Sequence, residues 1–215
     1  SIAFAIAAIH NLPHELVQKS GFPELDPQRN LKYRVMELDR AAQTGKVPPI
    51  LLQRWETALE DSSMFRYQPT VVHGAINGHS VLELDGKVSG VLHWSGLRIS
   101  DPAEDLAWVL GGASTDLAKN LIARYFEARP SADVNLWSRA LLYSELELAR
   151  WLLHGYSMGS QEIIEDAVGM LLVLTEEVET GKADRIAAAP LASEIAQQRR
   201  AEQASSNPIR NDELF

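Results

Sequence analysis

Residues 71–107, VVHGAINGHSVLELDGKVSGVLHWSGLRISDPAEDLA, constrain the fold more than any other stretch. The β-branched run Thr70, Val71 and Val72 leads into a turn rich in Gly and Asn. Two alternating runs follow, Ser80–Leu84 and Lys87–Trp94, joined by Asp85-Gly86. Asp-Gly between alternating apolar runs specifies a hairpin, because both central residues of a type I′ turn need positive φ. Asp101-Pro102 closes the stretch as a helix start, with Pro in the first turn where its missing amide hydrogen costs nothing.

Helical patterns flank this stretch on both sides. Ile2, Phe4, Ile6 and Ile9 with several Ala predict a buried helix over residues 1–10, and a short helix fits 13–20. Asp26 is a natural N-cap for a helix over 27–43, with Gly45 beyond its end; Leu31, Tyr33, Val35, Met36 and Leu38 are its expected apolar positions. Pro48-Pro49 starts another over 49–59, and 64–69 reads as an extended connector. Further helices are expected at 102–111, 115–129, 133–155 and 160–180. The expected fold class is an α-rich α+β domain with a small β-hairpin sheet. The expected layout is a helical segment over 1–64, the hairpin segment over 65–101, helices over 102–180 and a polar tail over 181–215. Within that tail a fraying helix is expected over 191–203, with disorder after Ser205.

The net charge of −9 repels polyanions, so neither nucleic acid nor an anionic membrane is an expected partner. The chain has no Cys, which removes disulfides and thiolate metal sites and suits the cytoplasm, the expected compartment. No apolar run has the length of a membrane span, and the opening SIAFAIAAI lacks the basic flank and cleavage site of a secretory leader.

The central stretch resembles the aminoglycoside and macrolide phosphotransferases, small-molecule kinases whose catalytic segment runs HGDLxxxN-V-L, a hairpin, G-V-I-D-W and R-x-x-D-P-x-x-D-L-A. His73-Gly74, Val81-Leu82, Gly90-Val91, Trp94, Arg98, Asp101-Pro102 and Asp105-Leu106-Ala107 match it without a gap. The resemblance implies the C-terminal lobe of a protein-kinase-like fold, over roughly residues 1–180. It implies architectural roles for His73 and Gly74 in the loop, for Asp101 as helix cap, and for Asp105 as acceptor for the loop backbone. Three positions depart from the pattern: Ala75 stands for the catalytic Asp, Ser80 for the Asn that holds magnesium, and His93 for the Asp that does the same. Phosphoryl transfer needs a group to orient the nucleophile and hard oxygen ligands for magnesium, and these side chains supply neither. No cofactor is therefore expected, with Mg-ATP or Mg-GTP implied only if the family activity survives. Nor does the sequence contain the Gly-rich loop, strand lysine and partner glutamate of the nucleotide lobe. Either the chain is a fragment or that lobe has been lost.

His73, His79 and His93 raise a zinc reading, three imidazoles with an open position. His79 and Ser80, as neighbours on a strand, would face opposite sides, which weighs against it. Glu83 and Asp85 are the nearest carboxylates in sequence to Ala75 and read as strand face and turn. The five Trp read as packing, since no basic stripe accompanies them. The expected function is a catalytically degenerate phosphotransferase-like protein that binds a small molecule or a protein. The alternatives are an active phosphotransferase of a small hydroxylated compound, or an interaction module using the acidic face Glu162–Glu179. Oligomeric state is left open.

Overall fold

Local chemistry starts and stops the helices of this computed structural model, which describes residues 1–112 and 115–187. Helices α1 (Ile2–His10) and α2 (His14–Lys19) precede α3 (Pro27–Gln43), which Asp26 caps by accepting the Arg29 N–H at 2.8 Å. Then come α4 (Pro49–Glu60), β1 (Thr70–Val72), β2 (Val81–Leu84), β3 (Lys87–Val91) and β4 (Arg98–Ser100). Helices α5 (Ala103–Gly112), α6 (Thr115–Ala128), α7 (Leu136–Met158) and α8 (Gln161–Glu179) complete the order. The fold is the expected mostly helical α+β type. The helix and disorder expected within 188–215 lie outside the described residues.

The strands form two separate two-stranded antiparallel sheets, not one hairpin sheet. Strand β1 pairs with β4, Thr70 opposite Ser100 and Val72 opposite Arg98. Strands β2 and β3 form the hairpin, with Asp85 at φ 51° and Gly86 at φ 72°. Both hairpin strands are shorter than the sequence pattern suggested. Ser80 belongs to the preceding turn, because its amide and hydroxyl bond to Asn77. Beyond Val91, His93 takes a left-handed conformation (φ 65°, ψ 49°), and Trp94–Gly96 form one 3-10 turn. A further 3-10 turn, Ser62–Phe65, occupies the start of the expected extended connector.

Helix α7 is the spine of the main core. Leu136, Ala140, Leu146, Ala149 and Leu152 are buried there, in one cluster with Trp55, Met64, Leu106 and Leu171. Helix α1 buries Ala3, Ile6, Ala7 and Ile9 but leaves Phe4 exposed. Helix α3 departs furthest from its apolar pattern: Tyr33, Val35 and Met36 are exposed, while Asn30 and Arg34 are buried beside Leu38 and Ala41. Polar demand from neighbouring carboxylates decides the orientation, since Asn30 donates to Glu104 at 2.8 Å. Of the tryptophans, Trp55 is in the core with its indole N–H on Glu145 at 2.7 Å, whereas Trp108 and Trp151 are exposed.

Candidate functional site

The loop after β1 is built around one buried carboxylate. Asp105, in the first turn of α5, accepts the His73 N–H at 2.7 Å and the Gly74 N–H at 2.8 Å. His10, at the end of α1, approaches the same carboxylate with Nε2 at 3.2 Å and meets the Tyr125 hydroxyl with Nδ1 at 2.7 Å. A carboxylate only accepts, so Nε2 of His10 carries the hydrogen. Burial pushes the Asp105 carboxyl up. His10 and the two backbone amides outweigh this and hold it below the usual carboxylate range.

His73 is fully buried and fixed by both ring nitrogens. Its Nε2 donates to the Leu92 carbonyl at 2.8 Å, and its Nδ1 accepts the Ala75 N–H at 3.4 Å. Trp94 lies against the ring, 4.7 Å between centroids. Gly74 has φ +74°, and a Cβ there would overlap the Arg98 guanidinium and the Gly96 carbonyl. The sequence therefore needs glycine at this position for two separate reasons, handedness and space.

Asp101 anchors the other end of the stretch. It caps α5 through the Ala103 N–H at 2.9 Å, and it accepts from Arg139 Nε at 2.8 Å and the Tyr143 hydroxyl at 2.8 Å. Arg139 also donates to Asp133 and to the Met64 carbonyl, both at 2.7 Å, with its guanidinium fully buried. Desolvation lowers the pKa of this guanidinium, but the facing carboxylates more than reverse that, so it stays cationic. Burial and the Asp101 charge push the Tyr143 phenol well up, so it remains a donor.

The positions that the resemblance gives to chemistry are arranged differently. Ala75 is exposed at the mouth of a cleft of about 610 Å³ that it shares with Trp108, Glu104, Glu147, Leu148 and Arg150. The Ser80 hydroxyl donates to the Asn77 carbonyl at 2.8 Å and accepts the Asn77 N–H at 2.8 Å, so it is closed within its own turn. His93 is exposed, and so is His79 in the turn before β2. The three histidines of the zinc reading are therefore not brought together: one is buried with both nitrogens engaged and two are exposed. Among the described residues no three His, Asp or Glu side chains converge to hold a metal ion. Glu83 is exposed on β2 and Asp85 sits in the hairpin turn.

Residues 1–143 match the profile of the phosphotransferase enzyme family. The chain belongs to that family. It is similar to the uncharacterized protein YcbJ of Bacillus subtilis strain 168, 22% identical over 143 residues, covering 65% of this chain and 44% of that one. Among solved structures, a macrolide 2′-phosphotransferase type I superposes with a TM-score of 0.72 at 26% identity, over 79% of this chain and 57% of that one. The macrolide 2′-phosphotransferase MphH of Brachybacterium faecium gives 0.67 at 21% identity, over 80% and 58%. An aminoglycoside 2′-phosphotransferase-IIIa, solved with GDP, gives 0.64 at 19% identity, over 79% and 60%. The chain thus spans about half the length of the relatives it matches.

Sequence reasoning placed His73, Gly74, Asp101 and Asp105 at the center of the loop. It left His10 and Arg139 without partners. The signal for both was a polar residue inside an apolar helical pattern, His10 closing SIAFAIAAI and Arg139 between Leu136 and Leu142. Such a residue must find a partner once its helix packs.

Proposed function

We propose that this chain is a phosphotransferase-family domain that binds its ligand in the cleft beside Ala75 and does not transfer phosphate. The observation that carries the reading is the state of the three positions that would do chemistry. A methyl group stands where the nucleophile would be oriented, a self-satisfied hydroxyl where one magnesium ligand would be, and an exposed imidazole where the other would be. Of the two acids of the cleft, Glu104 is held by buried partners, and Glu147 is exposed in a weak surface ion pair. Glu104 is ion-paired with Arg98, and Glu147 with Arg150 at 2.7 Å. The loop framework is meanwhile intact through His73 and Asp105, which suits a pocket kept for binding. The ligand is a small molecule or a protein segment presented to that cleft.

Two measurements test this. Macrolides and aminoglycosides are offered to the protein with Mg-ATP or Mg-GTP, and phosphorylated product is followed by mass spectrometry. No product above the rate without protein is expected. With a family nucleotide lobe fused ahead of the chain, measurable product at the rate of the Ala75→Asp/Ser80→Asn/His93→Asp variant in the same fusion would end the reading. Thermal melting with Mg-ATP, Mg-GTP, Mn-ATP and zinc is the companion measurement. A ligand at a hundred times its dissociation constant stabilises by about 2.7 kcal/mol, roughly 5–10 °C for a domain of this size. No shift with any of these is expected. A shift with nucleotide plus metal favours the second reading, an active enzyme whose nucleotide lobe is not in this chain; the intact His73–Asp105 framework is the feature that supports that reading.

A further inference from the structure

Helices α3 and α8 both pack on α7, and each turns a stripe of residues to solvent. On α3 the stripe is Arg29, Tyr33, Met36 and Arg40, all exposed. On α8 it is Glu165, Gly169, Leu172 and Glu176, also all exposed. Both run i, i+4, i+7, i+11, a spacing that stays on one narrow face of a helix with 3.6 residues per turn. The charged ends of each stripe therefore stand about 16 Å apart along the axis, with uncharged residues between them. One stripe is basic at both ends and the other acidic at both ends.

The four charged ends are not used within the chain. Among the described residues Arg29, Arg40, Glu165 and Glu176 make no ion pair. Glu165 accepts only the Gln161 amide, at 2.8 Å. The flanking charges do not spoil the contrast. Helix α8 carries six acidic residues and no Lys or Arg. On α3, Lys32 and Asp39 share one margin of the stripe and offset each other, and Glu37 is held by Arg150 through contacts of 3.2 and 3.3 Å. The middle of each stripe also fits the other. Tyr33, Met36 and Leu172 are large apolar side chains left in water. A Cβ at Gly169 would meet nothing within 4 Å, so the surface beside Leu172 has room for a ring or a thioether.

We propose that α3 of one copy of this chain docks on α8 of a second copy, Arg29 and Arg40 meeting Glu165 and Glu176 while Tyr33 and Met36 pack on Leu172 and over Gly169. The spacing of four, three and four residues reads the same from either end, so the charges coincide in both helix directions. The guanidinium forks suit carboxylate partners, and the ring and thioether supply apolar contact between the two ion pairs. Because the stripes lie on different helices, the contact is heterologous. The first copy keeps a free α8 and the second a free α3, so further copies can add. A contact over about three helical turns is smaller than the about 1,200 Å² at which stable interfaces begin, so the association is weak and reversible. It is independent of the cleft beside Ala75 and of whether the chain transfers phosphate.

Sedimentation velocity of the full chain over a range of concentrations is the test. The variants are Arg29→Glu/Arg40→Glu, Glu165→Arg/Glu176→Arg, and all four changes in one chain. Every substituted side chain is exposed, so an unchanged melting temperature verifies that each variant is folded. The parent is expected to sediment faster as its concentration rises. Each double variant should associate about tenfold more weakly or not at all. An equimolar mixture of the two double variants should recover association, and so should the chain with all four changes. The α8 reversal also reduces the net charge of −9, so general repulsion between copies predicts stronger association for that variant, the opposite of what the stripes predict. Tyr33→Ser/Leu172→Ser should weaken association with no change in charge. A parent that stays monomeric throughout, a double variant that associates like the parent, or a mixture no stronger than its components would each overturn the assignment.

Discussion

The two ends of the central stretch treat their polar groups in opposite ways. At Asp101 and Asp105 every carboxylate oxygen is buried and paired, with partners drawn from α1, α5, α7 and the loop itself. At Ala75, His79 and His93 the side chains are exposed, and Ser80 bonds only within its own turn. The contrast teaches that scaffold and reaction are separable demands on such a loop. A buried carboxylate is costly to leave unpaired, so the residues around Asp101 and Asp105 constrain one another whatever the loop is used for. An exposed side chain on the loop carries no such pairing demand, although the left-handed backbone at His93 still bears on which residue suits that position.

The sharpest way to break this comparison is at Arg139. Arg139→Met strands Asp101 and should lower stability by about 3–5 kcal/mol in urea denaturation, whereas Ala75→Asp should stay within about 0.5 kcal/mol. Comparable losses at the two positions would erase the distinction. Gly74→Ala comes next, at about 2–4 kcal/mol, because left-handed backbone and overlap with Arg98 act together. Asp105→Asn should cost about 1–3 kcal/mol near neutral pH by replacing an acceptor with a group that also donates. Its pH dependence has a definite sign. The folded carboxyl is held low, so its contribution is present above the unfolded value near about 4 and is lost as pH falls through the folded one. The parent should therefore lose stability on acidification below about pH 4 more steeply than Asp105→Asn, as read by denaturation at stepped pH. The smallest effect belongs to His93→Gly. Relief of the left-handed conformation and the added chain entropy nearly cancel, so the melting free energy should move by no more than about 1 kcal/mol. A larger loss would mean that the imidazole makes a contact that matters to the fold.

Much of the fold was legible because its punctuation is local. Asp26, Asp85-Gly86 and Asp101-Pro102 act through bonds to residues within a few positions, so their effect is written where they stand. The pairing of β1 with β4 was not legible. It joins strands about 28 residues apart, and neither carries an alternating pattern long enough to announce a partner. The exposure of Tyr33 and Met36 was hidden for a related reason. The orientation of α3 follows from Asn30 and Arg34 meeting Glu104, a residue about 70 positions later, and apolar periodicity has no access to that demand. In the site, the loop scaffold was readable from the motif. The zinc reading had only three nearby imidazoles behind it; the structure keeps them apart, because His73 is buried with both ring nitrogens bonded while His79 lies exposed in a turn and His93 exposed beyond β3.

The junction at Asp105 also bears on how the chain folds. One carboxylate ties together residues 10, 73, 74 and 105, with residue 125 behind His10. Closing loops of that length costs entropy before any contact rewards it, and rates fall as such distant contacts accumulate. Helices α7 and α8, adjacent in sequence, can dock early; the loop cannot take its final shape until the first helix returns to meet the fifth. The part of the molecule most resembling a catalytic center is thus expected to assemble late: a refolding experiment that follows Trp94 against His73 should report a slower phase than one that follows helix content, and coincident phases would show the two forming together.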